Sequence, residues 1–203
     1  MIKESYNLVY GVGIKGMECP TQGNRKHLKE YKLWSGMLER CTEAHWVKNT
    51  SYVGCNVSNN FKHYTYFYHW CQTQIGFKNK DENGDYWQLD KDLLIKGNKL
   101  YSEDTCVFLP RKLNGLFANC NTVKGCSPLG VYFEKESGKF KVRCAGVDGK
   151  RVYLGRFTVE RLAFETYKSF KETVVKQVAE KYKHQLDRRA YQALLNYEVN
   201  TND

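Results

Sequence analysis

Hydrophobic and polar residues alternate most regularly in the last third of the chain. Apolar side chains alternate with basic ones over residues 139–145, and a similar alternation returns over residues 150–157. An Asp148-Gly149 pair between them is typical of hairpin turns. A period of two predicts half-buried strands, and residues 130–136 form a further candidate. We therefore predict a three-stranded antiparallel sheet with one apolar and one basic face.

A helical repeat follows the third predicted strand. Apolar residues recur every three or four positions from Leu162 to Tyr182 and predict one long helix, with Thr158 as its N-cap. Residues 186–197 predict a further helical segment.

The first part of the chain is less regular. Apolar residues at helical spacing over 31–41 predict a short amphipathic helix. The aromatic residues between 61 and 71 favour a core position over a nucleic-acid stacking surface, because large aromatic side chains usually supply burial. A basic patch precedes the helix, at Arg25, Lys26, His27 and Lys29.

Composition narrows the class of partner. The chain has 203 residues with 32 Lys and Arg against 22 Asp and Glu, a formal net charge of +10. Such an excess attracts phosphate backbones or anionic membranes. No apolar run approaches the ~20 residues of a membrane helix, and the first residues lack the apolar core of a signal peptide. We expect a soluble cytoplasmic protein whose eight cysteines are thiols or metal ligands.

The predicted basic face is the feature that favours DNA. Cations clustered on one sheet face repel each other, so they are expected to meet an anion, and such a face can enter a major groove or lie along phosphates. The residues assigned to this contact are Lys139, Lys141, Arg143, Arg151, Tyr153 and Arg156.

Residues 128–172 resemble the ethylene-response-factor (Apetala-type) DNA-binding domain. The motifs that carry the likeness are GVYF at 130–133, GKFKVR at 138–143 and GKRVYLGRF at 149–157. The resemblance implies three strands packed on one helix, with the sheet reading the major groove. It assigns DNA contacts to Lys141, Arg143, Arg151, Tyr153 and Arg156. The chain has Phe133 in the first strand, where the family often has tryptophan.

A second candidate site lies between residues 90 and 114. Asp90 and Asp92 would share one face of a strand, and paired acids can hold a divalent ion that polarises a phosphate. This region resembles the HNH nuclease module of phage homing endonucleases, in LDKD at 89–92, GN at 97–98, CVF at 106–108 and the later Asn114. Phage genes often join HNH modules to Apetala-type domains, which implies a bacteriophage origin and a bacterial host cytoplasm.

The HNH resemblance also exposes departures from the family. Its general base is a histidine directly after the first aspartate, and Lys91 stands there. A lysine that is charged at neutral pH cannot accept a proton from water. Thr105 stands where an asparagine normally orients that histidine. Asp90 and Asn114 remain as candidate ligands of Mg²⁺ or Mn²⁺, with Lys91 as the altered catalytic position.

The cysteines raise a separate possibility, because some HNH scaffolds carry structural zinc. Cys41, Cys55 and Cys106 could form such a site with Cys71 or His45. The alternative is that these thiols are simply buried.

Together these patterns predict an α+β protein. An HNH-like ββα module would occupy residues 1–120, and an Apetala-type domain with a helical extension would occupy residues 128–203. We expect a double-stranded DNA-binding protein of homing-endonuclease descent whose catalysis is impaired. The alternatives are an active metal-dependent endonuclease and an adaptor that holds a protein partner. The DNA target and the oligomeric state stay open.

Overall fold

The computed structural model describes residues 8–117 and 128–201. The chain divides into two compact units, Met1–Leu109 and Pro110–Asp203. The architecture is a mixed one of helices and small sheets. No helix in the described ranges is both long and apolar enough to cross a membrane.

The first unit combines short strands with three helices in its described part. Its elements are β1 (Gln22–Gly23), β2 (Lys26–His27), α1 (Lys29–Arg40), α2 (Glu43–Lys48), β3 (Asn56–Val57), α3 (Tyr64–Thr73), β4 (Gln88–Asp90), β5 (Leu100–Tyr101) and β6 (Val107–Leu109). The pairs β1–β2 and β4–β6 are antiparallel, and β3–β5 is parallel.

Aromatic side chains form the core of the first unit. Trp34, Phe61, Tyr64 and Phe67 are buried, and the Trp34 Nε1 donates to the Phe61 carbonyl at 2.8 Å. The helix predicted over 31–41 is confirmed as α1. The core position predicted for the aromatic cluster is confirmed as well, although Tyr66 of that cluster is exposed.

The second unit is built on the predicted sheet and long helix. Its elements are α4 (Arg111–Gly115), β7 (Val131–Glu134), β8 (Lys139–Ala145), β9 (Arg151–Phe157), α5 (Glu160–Tyr182) and α6 (Arg188–Leu195). The strand order is β7-β8-β9, antiparallel throughout. Val142 and Cys144 from the sheet pack with Ala163 and Tyr167 from α5 in one core. The three-stranded sheet and the C-terminal helix are thus confirmed.

The start of α5 differs from the prediction. Its N-cap is Val159, whose backbone is extended and whose carbonyl accepts from the Ala163 amide at 3.2 Å. Thr158 therefore lies one residue outside the cap position, and no side chain caps this helix end. The N-cap prediction for Thr158 was wrong. The hydroxyl of an N-cap residue accepts from the first amides of the helix, and Thr158 lies one residue before that position.

A close backbone approach joins the sheet to α5. Gly130 precedes β7 with φ +77°, in the left-handed region, and a Cβ added there would lie 2.2 Å from the Tyr167 ring. Only glycine fits both the conformation and the space. This contact lets Tyr167 pack directly under the start of the first strand.

Candidate nucleic-acid interface

The register of the sheet places the predicted DNA contacts next to each other. In β8, Lys141 lies opposite Tyr132 of β7 and opposite Arg156 of β9. Farther along the strand, Arg143 pairs with Tyr153. Directly opposite residues on one face have their Cβ atoms close together, so these side chains share one surface. We call the surface formed by Lys139, Lys141, Arg143, Arg151, Tyr153 and Arg156 the basic face.

A β-bulge brings Arg156 onto the basic face. Strict alternation from Tyr153 would place Arg156 on the opposite, apolar side. The pairing shifts between Val142 and Arg143, so one extra residue enters β9. Leu154 packs against the core, and Gly155 takes φ +129°. A glycine inside an otherwise regular strand was the sequence signal for this bulge.

Exposure distinguishes the two sides of the sheet. Lys139, Arg143 and Arg151 are exposed, and Tyr153 keeps 55% of its surface accessible. Val142 and Cys144 lie on the other side and are buried. The basic face is therefore open to a large partner, while the apolar face is covered by α5.

An acidic residue that the sequence did not single out lies among the cations. Glu134 accepts from Lys141 Nζ at 2.9 Å and from Arg156 Nε at 2.8 Å. Oε2 accepts from Arg156 Nε, and Oε1, which also accepts from Lys141, is 3.3 Å from Arg156 Nη2, so Glu134 holds the guanidinium side-on. The hydrogen bond from Lys141, helped by Arg156, holds the pKa of Glu134 below its usual range.

The second candidate site begins at the end of β4. Asp90 Oδ1 accepts the backbone N–H of Asp92 at 2.9 Å and of Leu93 at 2.8 Å. The chain therefore turns at Asp90, and the expectation that Asp90 and Asp92 share one face of a strand was wrong. The turn arises because an aspartate oxygen can accept amides two and three residues ahead. Burial raises the pKa of Asp90.

Lys91 is buried and bonded within its own loop. Its ammonium donates to the Asp92 carboxylate and to the Asn98 carbonyl, the latter at 3.0 Å. The Tyr101 ring centroid lies 5.6 Å from the Nζ. In return, the Asn98 amide donates to the Lys91 carbonyl at 2.7 Å. Lys91 and Asn98 thus hold each other across the loop between β4 and β5.

Thr105 has a structural role in the next loop, between β5 and β6. Its hydroxyl donates to the Leu100 carbonyl at 2.7 Å and lies 3.0 Å from the Ser102 hydroxyl. Both hydroxyl residues are buried. The position that an asparagine takes in the HNH pattern therefore belongs to a local hydrogen-bond network here.

The candidate metal ligands are distributed over the two units. Asp90 is in the first unit and Asn114 is in α4 of the second. Asp90 accepts both backbone amides on Oδ1, so that oxygen serves the turn and Oδ2 is the one that a divalent ion would bind. Within residues 8–117 and 128–201, no three His, Cys, Asp or Glu side chains come together as a metal site.

The candidate zinc ligands are thiols with raised pKa values. Cys55 helps to raise the pKa of Cys41, and Cys106 helps to raise the pKa of Cys71. Burial raises the pKa of Cys41 and of Cys106 to about 12. His45 has its Nε2 3.3 Å from the Asn49 amide nitrogen and its ring against Tyr52.

Comparison of the chain with protein-family models, with curated proteins and with solved structures finds no match.

Proposed function

We propose that this protein binds double-stranded DNA through the basic face of its three-stranded sheet. The observation that carries the proposal is the clustering of exposed cations on the side of the sheet that α5 leaves open. Lysine and arginine side chains in such an array neutralise phosphates and release counterions. Tyr153 adds an exposed aromatic group opposite Arg143, where it can pack against sugars or base edges.

The salt dependence of binding tests this proposal. We expect a labelled duplex of mixed sequence to bind with an affinity that falls steeply as salt rises. Replacing Lys141, Arg143 and Arg151 by alanine should reduce the slope of log affinity against log salt by up to about 3, near 0.9 for each lost phosphate contact. The matched control removes three exposed lysines elsewhere, Lys48, Lys78 and Lys176.

If the two triple variants lose the same DNA affinity and salt dependence, a specific role for the basic face is refuted. Binding of a protein partner that survives the loss of Lys141, Arg143 and Arg151 would instead support the adaptor function. No DNA binding by the unaltered protein would overturn the proposal as a whole.

The region from β4 to α4 supports a proposed descent from an HNH nuclease that no longer cleaves. Its antiparallel strands β4 and β6 are followed along the chain by the short helix α4, which is the order of a ββα module. The nucleophilic water in such a module needs a base. Lys91 stands at the position of that base, and an ammonium that donates to Asp92 and Asn98 has no lone pair with which to accept a proton.

Supercoiled plasmid distinguishes the binder from the nuclease. With Mg²⁺ or Mn²⁺ present, we expect a gel shift without relaxed or linear product. Asp90→Ala is the informative variant, because a contaminating nuclease would be unaffected by it. Metal-dependent nicking that Asp90→Ala abolishes would overturn the proposed impairment.

A further inference from the structure

A basic hairpin in the first unit takes no part in the basic face. Strands β1 and β2 pair antiparallel and close on the two-residue turn Asn24-Arg25. Every residue from 22 to 27 is exposed. The hairpin therefore buries little of itself, and its basic side chains face solvent.

The base of the hairpin is attached to the helix that follows it. The His27 ring stacks on Tyr31 of α1, with ring centroids 4.8 Å apart and planes 29° apart. The Leu28 amide donates to the Thr21 carbonyl at 3.0 Å, just outside the strands. These contacts fix the two ends of the hairpin, so its tip is presented from a defined base.

The tip carries an unfavourable residue for its backbone conformation. Asn24 has φ +50° and Arg25 has φ +62°, so both central residues are left-handed. Turns of this kind favour Asn-Gly, because a side chain at the second position is disfavoured. Asn24 suits its position, whereas Arg25 does not. An exposed arginine kept in such a conformation points to a role outside the fold.

The charged residues of the segment 19–29 are all basic. The sequence contains no acidic residue between Glu18 and Glu30. Among the described residues, no carboxylate forms an ion pair with Arg25 or Lys26. A guanidinium matches a phosphate with two parallel hydrogen bonds, and a two-stranded ribbon fits a DNA groove.

We propose that this hairpin is a second DNA contact, in which Arg25 and Lys26 bind backbone phosphates. The inference rests on the DNA binding proposed above, but it involves residues of the other unit. It also explains why a glycine position of the turn holds arginine. On this proposal, the Arg25 side chain contributes to DNA binding, although its left-handed backbone makes it less favourable than glycine for folding.

Arg25→Gly separates these two contributions. The variant should unfold at the same urea concentration as the unaltered protein or a higher one, since glycine suits the left-handed position. Its dissociation constant for a fluorescein-labelled duplex of about 30 base pairs should rise roughly three- to ten-fold, and the salt slope should fall by about 1. Lys48→Ala, which removes an exposed cation of α2, is the charge-matched control.

The possible outcomes separate the hairpin from the sheet. If the unaltered protein binds no duplex, both proposals fail. If it binds and Arg25→Gly weakens binding no more than Lys48→Ala, the hairpin contact is overturned while the basic face stands. A lower urea midpoint for Arg25→Gly would also overturn the inference, because Arg25 would then serve the fold.

Discussion

The two candidate sites use their polar residues in opposite ways. In the first unit, Lys91 is buried and its ammonium is bonded to Asp92 and Asn98 of its own loop. In the second unit, Arg143 and Arg151 stand exposed on the basic face. A buried charge that is bonded within its own loop belongs to the fold, whereas an exposed array of like charges stabilises little and is available to a partner. Stability and binding should therefore depend on different residues.

The largest effect is expected at Gly130, where the sheet that carries the basic face packs against Tyr167 of α5. Gly130→Ala should destabilise the protein by about 2–4 kcal/mol, because the new Cβ meets the Tyr167 ring in a left-handed backbone. Gly138→Ala is the control, since Gly138 has φ +63° but open space around it. It should cost about 1 kcal/mol. Urea denaturation followed by circular dichroism compares the two, and equal losses would contradict the role of Tyr167.

The loop of the first unit should give the next largest effect. Lys91→Met keeps the apolar stem but leaves the Asn98 carbonyl without the ammonium, and should cost about 2–3 kcal/mol. Lys99→Met removes an exposed lysine of the same loop, and its bond to the Ser51 carbonyl at 2.7 Å is open to water, so it should cost no more than about 0.5 kcal/mol. Both variants should bind DNA as the unaltered protein does at low temperature. A stable Lys91→Met protein would show that the network is not structural.

The basic face could be predicted from sequence because its information is local. The strand predicted over residues 139–145 coincides with β8, and α5 covers the long helix. Adjacent strands joined by short turns leave little choice of pairing. Glu134 was missed because its place beside Lys141 and Arg156 depends on the register across three strands, which alternation within one strand does not give.

The first unit could be predicted only in part, because its strands pair over long separations. Asn56 of β3 pairs with Leu100 of β5, and each strand has two residues. Such short strands carry no detectable period. The hydrogen bonds between Lys91 and Asn98 depend in the same way on the path of a loop. The sequence therefore singled out Lys91 and Asn98 but did not predict that they bond to each other.

Alkaline pH should weaken the first unit. Burial raises the pKa of Cys41 and Cys106 to about 12, and raises that of Tyr101 as well. A group with a raised folded pKa contributes stability below its unfolded pKa and loses it as pH rises towards the folded value. Burial lowers the pKa of Lys29 to about 8, so Lys29 acts in the opposite direction up to the ordinary lysine pKa of about 10.5. One lysine offsets only one of the titrating thiols, so the net loss should begin near pH 9, the ordinary thiol pKa, and become steeper above about pH 10.5.

Tryptophan fluorescence measures this loss selectively, since all four tryptophans precede residue 109. The urea midpoint should fall between about pH 9 and about pH 11.5, most steeply above about pH 10.5. Cys41→Ala removes one of the titrating groups and should show a smaller fall over the same interval. A midpoint that rises, or a fall that Cys41→Ala leaves unchanged, would contradict the assignment of the effect to this thiol.

The smallest effect is expected at Glu134, where the comparison between the sites is tested most closely. Glu134→Gln removes a negative charge from beside Lys141 and Arg156 and should raise DNA affinity about two- to five-fold. Exposed ion pairs contribute little to folding, so the denaturation midpoint should barely move. Glu136→Gln makes the same charge change at an exposed residue beyond β7 and should raise affinity less.

The direction of the Glu134→Gln effect decides how the basic face works. A rise in affinity means that Glu134 mainly opposes phosphates, and that Lys141 and Arg156 act as point charges. A fall means that the side-on contact with Arg156 holds the guanidinium in the geometry that binds DNA, and that this orientation outweighs one unit of charge. In that case the acidic residue would belong to the interface as much as the arginine, and salt dependence would stay unchanged while affinity dropped.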